Sequence, residues 1–253
     1  MKTSPLVIGN WKMNPTSVSL AKKLASDLKK RLARMTGTDV VIAPPYPYLE
    51  TLRAVRSESK SFALGAQNVH DEKQGAHTGE VSIPMLESFD VTHVIVGHSE
   101  RRAAGETDTE VNRKLLSVVK SGLTAVLCVG ETKRDHAGHY LTTVEGQIRA
   151  ALSSLGKAKL GAVVIAYEPV WAIGTGENAT AADVHEMRLF IEKVLADIYG
   201  RTYATRVRIL YGGSVNAKNA RELFVEGTVR GFLVGGASLK AGEFIDIINA
   251  TRT

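Results

Sequence analysis

Eight short apolar runs recur along this chain, each bounded by turn residues. They are Leu6–Ile8, Val40–Ala43, Phe62–Ala66, His93–Val96, Thr124–Val129, Ala162–Tyr167, Val207–Tyr211 and Gly231–Val234. All are three to six residues long, often β-branched, and continuous rather than alternating. That is the pattern of strands buried on both faces, as in a parallel sheet. The stretches between them carry helical spacing. Leu20, Leu24, Leu28 and Leu32 repeat every four residues, with Lys22, Lys23, Lys29 and Lys30 on the other face. Val111, Leu115, Val118 and Val119 repeat the pattern, as do Met187, Phe190, Ile191, Val194, Leu195 and Ile198, and later Phe244, Ile247 and Ile248.

Parallel strands need a crossover of about a dozen residues or more, usually a helix. Eight βα units in 253 residues fit a single-domain α/β fold, a (β/α)8 barrel spanning residues 1–253. A doubly wound open sheet is the alternative, since it also alternates strand and helix. Two small domains would need a linker near the middle, whereas Leu115 to Gly130 reads as a helix running into a buried strand. In both α/β folds, ligands bind at the carboxyl ends of the strands. The search for chemistry therefore narrows to the residues just after each run.

Composition excludes several classes. Apolar residues make up 44% and charged residues 23%, which argues against disorder. One cysteine excludes an internal disulfide framework and a thiolate-based zinc site. No uncharged apolar run approaches the ~18 residues of a membrane span. The apolar core of Met1 to Asn14 is too short for a signal peptide, so a cytoplasmic location is expected. The net charge of +6 gives a weak preference for anionic ligands. Lysines and arginines are scattered, without the stripe of a nucleic-acid binder, so neither nucleic acid nor membrane is expected as a partner.

Five strand ends are rich in polar residues or glycine. They are Gly9-Asn10-Trp11-Lys12-Met13-Asn14, Gly97-His98-Ser99-Glu100-Arg101-Arg102, Glu168-Pro169-Val170-Trp171-Ala172-Ile173-Gly174-Thr175-Gly176, Gly212-Gly213-Ser214-Val215 and Gly235-Gly236-Ala237-Ser238. In order and position these strings resemble the triosephosphate isomerase family over nearly the whole chain. Gln67-Asn68, Gly75-Ala76-His77-Thr78-Gly79-Glu80 and Cys128-Val129-Gly130-Glu131 fit the resemblance too. It implies a TIM barrel and the interconversion of D-glyceraldehyde 3-phosphate and dihydroxyacetone phosphate in glycolysis and gluconeogenesis. It implies no cofactor and no metal ion.

Moving a proton between adjacent carbons needs a base, and the enediolate oxygen needs electrophiles. Glu168 is the candidate base. Pro169 disfavours a helical conformation for it, and a carboxylate at the end of a buried strand would be partly desolvated and so more basic. Taken alone it would be an ordinary surface glutamate. Lys12 should project toward the barrel mouth, where a unit charge at 4 Å is worth ~4 kcal/mol at an effective dielectric of 20. Asn10 is a neutral donor that orients Lys12 or the substrate. His98, alone, would read as a core histidine. The resemblance gives it the electrophile's role, and this family is itself the standard example of a neutral imidazole lowered in pKa by a helix start. Glu100 is expected to partner Lys12. The glycine pairs, with Ser214, Gly235 and Gly236, offer backbone N–H groups to a phosphate after strands seven and eight.

The stretch Val170 to Gly176 resembles the family's closing lid, entered through Pro169 and comprising Val170, Trp171, Ala172, Ile173, Gly174, Thr175 and Gly176. Closure excludes water that would promote phosphate loss. Gly174 is expected to donate its N–H to the phosphate, and Trp171 to pack as a hinge. The Gly75–Glu80 segment resembles the loop that inserts into a neighbouring subunit, which implies a homodimer with Thr78 and His77 at the interface. His77 stands where a larger aromatic or apolar residue is common, and it adds a titratable group. Pro15 and Arg230 also depart from the family's pattern, the latter expected at the barrel's base.

Other readings are weaker. Gly174-Thr175-Gly176-Glu177-Asn178-Ala179 fits a dinucleotide fingerprint, but six residues separate it from Tyr167, too far for a tight turn off the strand. His136 and His139 have no further ligand nearby, and Cys128 reads as a packing residue. A Schiff-base aldolase using Lys12 and a non-catalytic sugar-phosphate binder are the remaining alternatives. Borohydride trapping distinguishes the first, and the presence of both Glu168 and His98 argues against the second.

Overall fold

A computed structural model describes residues 4–56, 61–135, 137–172 and 179–252. Eight strands form a closed parallel barrel in sequence order: β1 (Leu6–Asn10), β2 (Asp39–Ala43), β3 (Ala63–Ala66), β4 (Val91–Val96), β5 (Thr124–Val129), β6 (Val163–Tyr167), β7 (Arg208–Tyr211) and β8 (Gly231–Val234). Closure runs through β1 and β8, with Leu6 opposite Gly231 and Gly9 opposite Val234. Each apolar run of the sequence thus lies on a strand, and the open-sheet alternative is excluded.

Among the described residues, ten helices surround it: α1 (Val18–Leu32), α2 (Leu49–Arg56), α3 (Ile83–Ser88), α4 (Ser99–Ala103), α5 (Asp108–Lys120), α6 (His139–Ala151), α7 (Ala181–Tyr199), α8 (Arg201–Ala204), α9 (Ala220–Val225) and α10 (Ala241–Ala250). Several of them start on side-chain caps. Ser17 accepts from the Leu20 N–H, and Thr107–Glu110 and Thr180–Asp183 form capping boxes on α5 and α7.

Alternation along the strands separates two cores. Leu6, Ile8, Val41, Ala43, Ile95, Val126, Cys128, Val164, Ala166, Leu210 and Leu233 fill the barrel's interior. The residues between them face outward and pack against the helices. On α1 the buried stripe is Ala21, Ala25, Leu28 and Leu32, while Leu20 is 49% exposed. The leucine stripe expected from sequence therefore holds at Leu28 and Leu32 and in part at Leu24, which packs against the core, and fails at Leu20. A strict four-residue repeat drifts about 40° per step around a helix of 3.6 residues per turn. The small alanines let the first half of α1 lie close to the barrel instead. Arg230 sits at the base, as expected: its carbonyl accepts from the Leu6 N–H at 2.9 Å.

Candidate active site

The inward-facing rows continue past the strand ends and converge at the carboxyl rim. Asn10 follows Ile8 on β1, Glu168 follows Ala166 on β6, Gly212 follows Leu210 on β7, and Gly235 follows Leu233 on β8, each two residues on. A cavity of about 360 Å³ opens there, lined by Asn10, Lys12, His98, Glu168, the Gly212–Ser214 turn and Gly235–Gly236. The expected base, electrophiles and phosphate-loop residues thus border one space.

Glu168 is 2% exposed. Its Oε2 accepts from the Ser99 N–H at 2.9 Å, and its Oε1 lies 3.1 Å from His98 Nε2. Gly212 makes room for it, since a Cβ there would come within 2.9 Å of Glu168 Cγ. A helix does begin after His98, and the imidazole caps it: Nδ1 accepts from the Glu100 N–H at 3.2 Å. An accepting Nδ1 assigns the proton to Nε2 in the neutral ring. The Nε2 side of the ring therefore faces the Glu168 carboxylate and the cavity.

Lys12 has φ +51°, a left-handed conformation unusual for a residue with a side chain. Three contacts hold it. Its N–H donates to Asn10 Oδ1 at 3.0 Å, its carbonyl accepts from Gln67 Nε2 at 2.9 Å, and its ammonium pairs with Glu100 Oε1 at 2.6 Å. Burial works against the charge of Glu100, but the hydrogen bond and charge of Lys12 prevail and hold its carboxyl below the usual range. Cys128 lies under the site, buried, with its thiol pushed well up in pKa by burial and then by Glu168. It is a packing residue in contact with the carboxylate.

Behind Glu168 lies a cluster that the sequence does not announce. Glu131 is 1% exposed, and its Oε1 accepts from the Tyr167 hydroxyl and the Trp171 indole N–H, both at 2.8 Å. The Val170 N–H donates to the Glu131 carbonyl at 3.0 Å. Trp171 is therefore tied to Glu131, at the point where a hinge was expected. The lid residues Ile173, Gly174, Thr175 and Gly176, and the expected phosphate contact of Gly174, lie outside the described residues, as does His136. His139 is exposed at 80%, and among the described residues no cluster of three or more potential ligands could hold a metal ion. Among those residues, no helix is long and apolar enough to cross a membrane.

The family profile for triosephosphate isomerase matches residues 5–251. The chain belongs to the triosephosphate isomerase family. It is 47% identical over 248 residues to the triosephosphate isomerase of Chloroflexus aurantiacus, covering 97% of this chain and 98% of that one. It is 44% identical over 254 residues to that of Haemophilus ducreyi, covering 100% of this chain and 98% of the relative. The triosephosphate isomerase of Moorella thermoacetica is 45% identical over 250 residues, with 97% and 98% covered. A triosephosphate isomerase fold thus brings Asn10, Lys12, His98, Glu100 and Glu168 to one rim, while Thr78 and His77 stand exposed on a separate loop.

Proposed function

We propose that this cavity interconverts D-glyceraldehyde 3-phosphate and dihydroxyacetone phosphate through an enediolate. The observation that carries the reading is the buried Glu168 carboxylate 3.1 Å from His98 Nε2, with the Lys12 ammonium on the same cavity. The substrate's reacting carbons take the space between these groups. Glu168 removes a proton from the carbon next to the carbonyl. His98 donates its Nε2 proton to the carbonyl oxygen, where negative charge grows, and takes the proton of the neighbouring hydroxyl in its place, while Glu168 delivers its proton to the former carbonyl carbon. Lys12 stabilises the enediolate and the phosphate, Asn10 fixes its backbone, and Glu100 aims its ammonium. Ser214, Gly235 and Gly236 offer N–H groups to the phosphate, and a Cβ at Gly235 would come within 3.4 Å of Lys12 Cε, so the cation stands close to the phosphate turn. Pro169, Val170, Trp171 and Ala172 form the near end of a lid over it.

The active unit is a homodimer in this reading. The Gly75–Glu80 loop, with His77 and Thr78, is exposed, and Met13 is 92% exposed beside the mouth. A second cavity of about 220 Å³, walled by Tyr46, Gln67, Asn68 and Arg101, opens onto Asn10, Lys12 and His98 and suits a partner's loop tip. A cytoplasmic location fits the single buried thiol, Cys128.

A coupled assay with either triose phosphate tests the activity, and Glu168→Asp tests the base. Retracting the carboxylate by one methylene lowers kcat by about 100-fold or more, since proton transfer requires hydrogen-bond reach. An unchanged kcat in the folded variant removes Glu168 from that role. Absence of turnover by the folded parent protein removes the reading itself.

A further inference from the structure

Arg134 stands outside the cavity, yet it touches both chain segments that border the stretch between β6 and α7. On one side its guanidinium lies 6.0 Å from the Trp171 ring centroid, and its Nε lies 3.6 Å from Glu131 Oε1. On the other side it pairs with Asp183, and with Glu186 Oε2 at 2.9 Å. Asp183 is the residue whose carboxylate closes the Thr180 capping box at the start of α7, accepting from the Thr180 N–H at 2.8 Å. The guanidinium also sits 4.7 Å over the Tyr140 ring, whose hydroxyl donates to Glu186 at 2.9 Å. Burial works against the charge of Arg134, but Tyr167, Asp183, Glu186 and Glu131 together outweigh it.

Glu131 explains why a cation is needed at this place. Its carboxylate is buried, and its Oε1 collects the hydroxyl of Tyr167 and the indole N–H of Trp171, the residues just before Glu168 and three after it. Two neutral donors do not balance a buried charge, and a buried ion that loses its counter-ion is strongly unfavourable. Among the described residues, Arg134 is the cation paired with Glu131. If it is removed, the buried carboxylate loses its counter-ion, and the acceptor that Tyr167 and Trp171 share is disturbed.

We infer that Arg134 is a positioning residue for the isomerisation: by neutralising Glu131 and gripping Asp183, it fixes the chain just after the base and joins it to the start of α7. The inference rests on the proposed reading of Glu168 as base. The planar fork is what allows one side chain to serve carboxylates on two segments, which a lysine's point charge does less well.

Arg134→Met keeps the stem and removes the charge, and it is compared with Arg134→Lys, Glu131→Gln and the Glu131→Gln/Arg134→Met double variant. Four readouts are taken: kcat, KM, thermal midpoint and tryptophan emission. Arg134→Met lowers kcat about tenfold with KM changed less than twofold, because the base is displaced while the cavity's binding groups are untouched. Arg134→Lys recovers part of the loss. The double variant is more active than Arg134→Met alone, since the uncompensated carboxylate has gone. Tryptophan emission shifts in Arg134→Met as the surroundings of Trp171 change. An unchanged kcat overturns the inference, as does a double variant whose losses add. If Arg134→Met does not fold, Arg134→Lys and Glu131→Gln carry the test through their kcat and emission. If the folded parent protein lacks isomerase activity, the reading of Glu168 fails separately, and an unchanged emission in Arg134→Met then overturns the positioning itself.

Discussion

Gly130→Ala should damage catalysis without touching the cavity. Gly130 follows β5, and an added Cβ would lie 1.7 Å from the carbonyl oxygen of Glu168 and 2.6 Å from its carbonyl carbon. Real Cβ atoms stay at least 3.0 Å from such atoms, so the two segments must separate by about 1.3 Å or more, the difference between 3.0 and 1.7. Gly130 cannot easily yield, because Gln147 clamps both sides of its peptide: the Gly130 N–H donates to Oε1 at 2.8 Å, and Nε2 donates to the Gly130 carbonyl at 3.0 Å. The displacement therefore falls mainly on Glu168, whose own N–H is bonded to the Val129 carbonyl at 2.8 Å. A misplacement of ~1 Å in a catalytic group costs on the order of 100-fold, or about 2.7 kcal/mol in the barrier. Overpacking adds about 1–3 kcal/mol of destabilisation. The coupled assay gives kcat, and urea unfolding gives the stability change. Gly146→Ala serves as the control: it lies inside α6 with nothing within 4 Å of an added Cβ, and gains up to about 1 kcal/mol in helix propensity. A folded Gly130→Ala enzyme with the parent's kcat would refute the reasoning that β5 sets the position of the base.

Two further outcomes concern histidines. The pKa of His93, at the base of β4, is lowered to about 4, first by burial and then by Arg208, with Asp39 opposing. The unfolded chain takes up this proton from about pH 6.5 downward while the native state does not, so the stabilisation is complete above pH 6.5 and is lost as pH falls toward 4. The loss is at most about 3 kcal/mol, and His93→Gln should lose less between pH 7 and 4.5 in urea unfolding; equal losses would rule out His93 as the cause. At the proposed interface, the His70 and His77 rings stack with centroids 4.0 Å apart, with Asp71 Oδ1 3.8 Å from His70 Nδ1. Stacked in this way, the His70 ring braces His77 on the exposed loop, so His77→Ala should weaken the dimer in sedimentation, and identical populations would remove the idea.

The barrel was legible because strands covered on both faces cannot alternate polar and apolar residues. Their runs stand out as continuous, and the polar strings that follow them fall at one rim by construction. Asn10, Lys12, His98 and Glu168 were readable for that reason, and so was the turn at Gly212. The first turn of α1 was not, because Leu20 carries the stronger hydrophobic signal yet is 49% exposed while Ala21 and Ala25 are buried at 0% exposure. Close approach to the barrel, rather than hydrophobicity, selected the buried face. Arg134 was not legible either. Its partners lie at positions 131, 171, 183 and 186, and no spacing in the sequence marks a charge that bridges segments brought together only by the fold.

The same distinction bears on how the base is held. Glu168 supplies the carboxylate, but other segments fix its place. The Ser99 N–H and His98 from the end of β4 hold its two oxygens, and the Val129 carbonyl of β5 holds its N–H. Gly212, after β7, leaves the room for its Cγ. All of these contacts come from the ends of strands whose mutual spacing is set by the closed barrel. The proposed proton transfer, which tolerates little displacement, would thereby inherit the rigidity of the sheet, and the residues that matter most for it would partly be those with no side chain to read. Glycine at 130 and 212 is required by what stands beside it, so its contribution to catalysis is the absence of a Cβ where Glu168 must be.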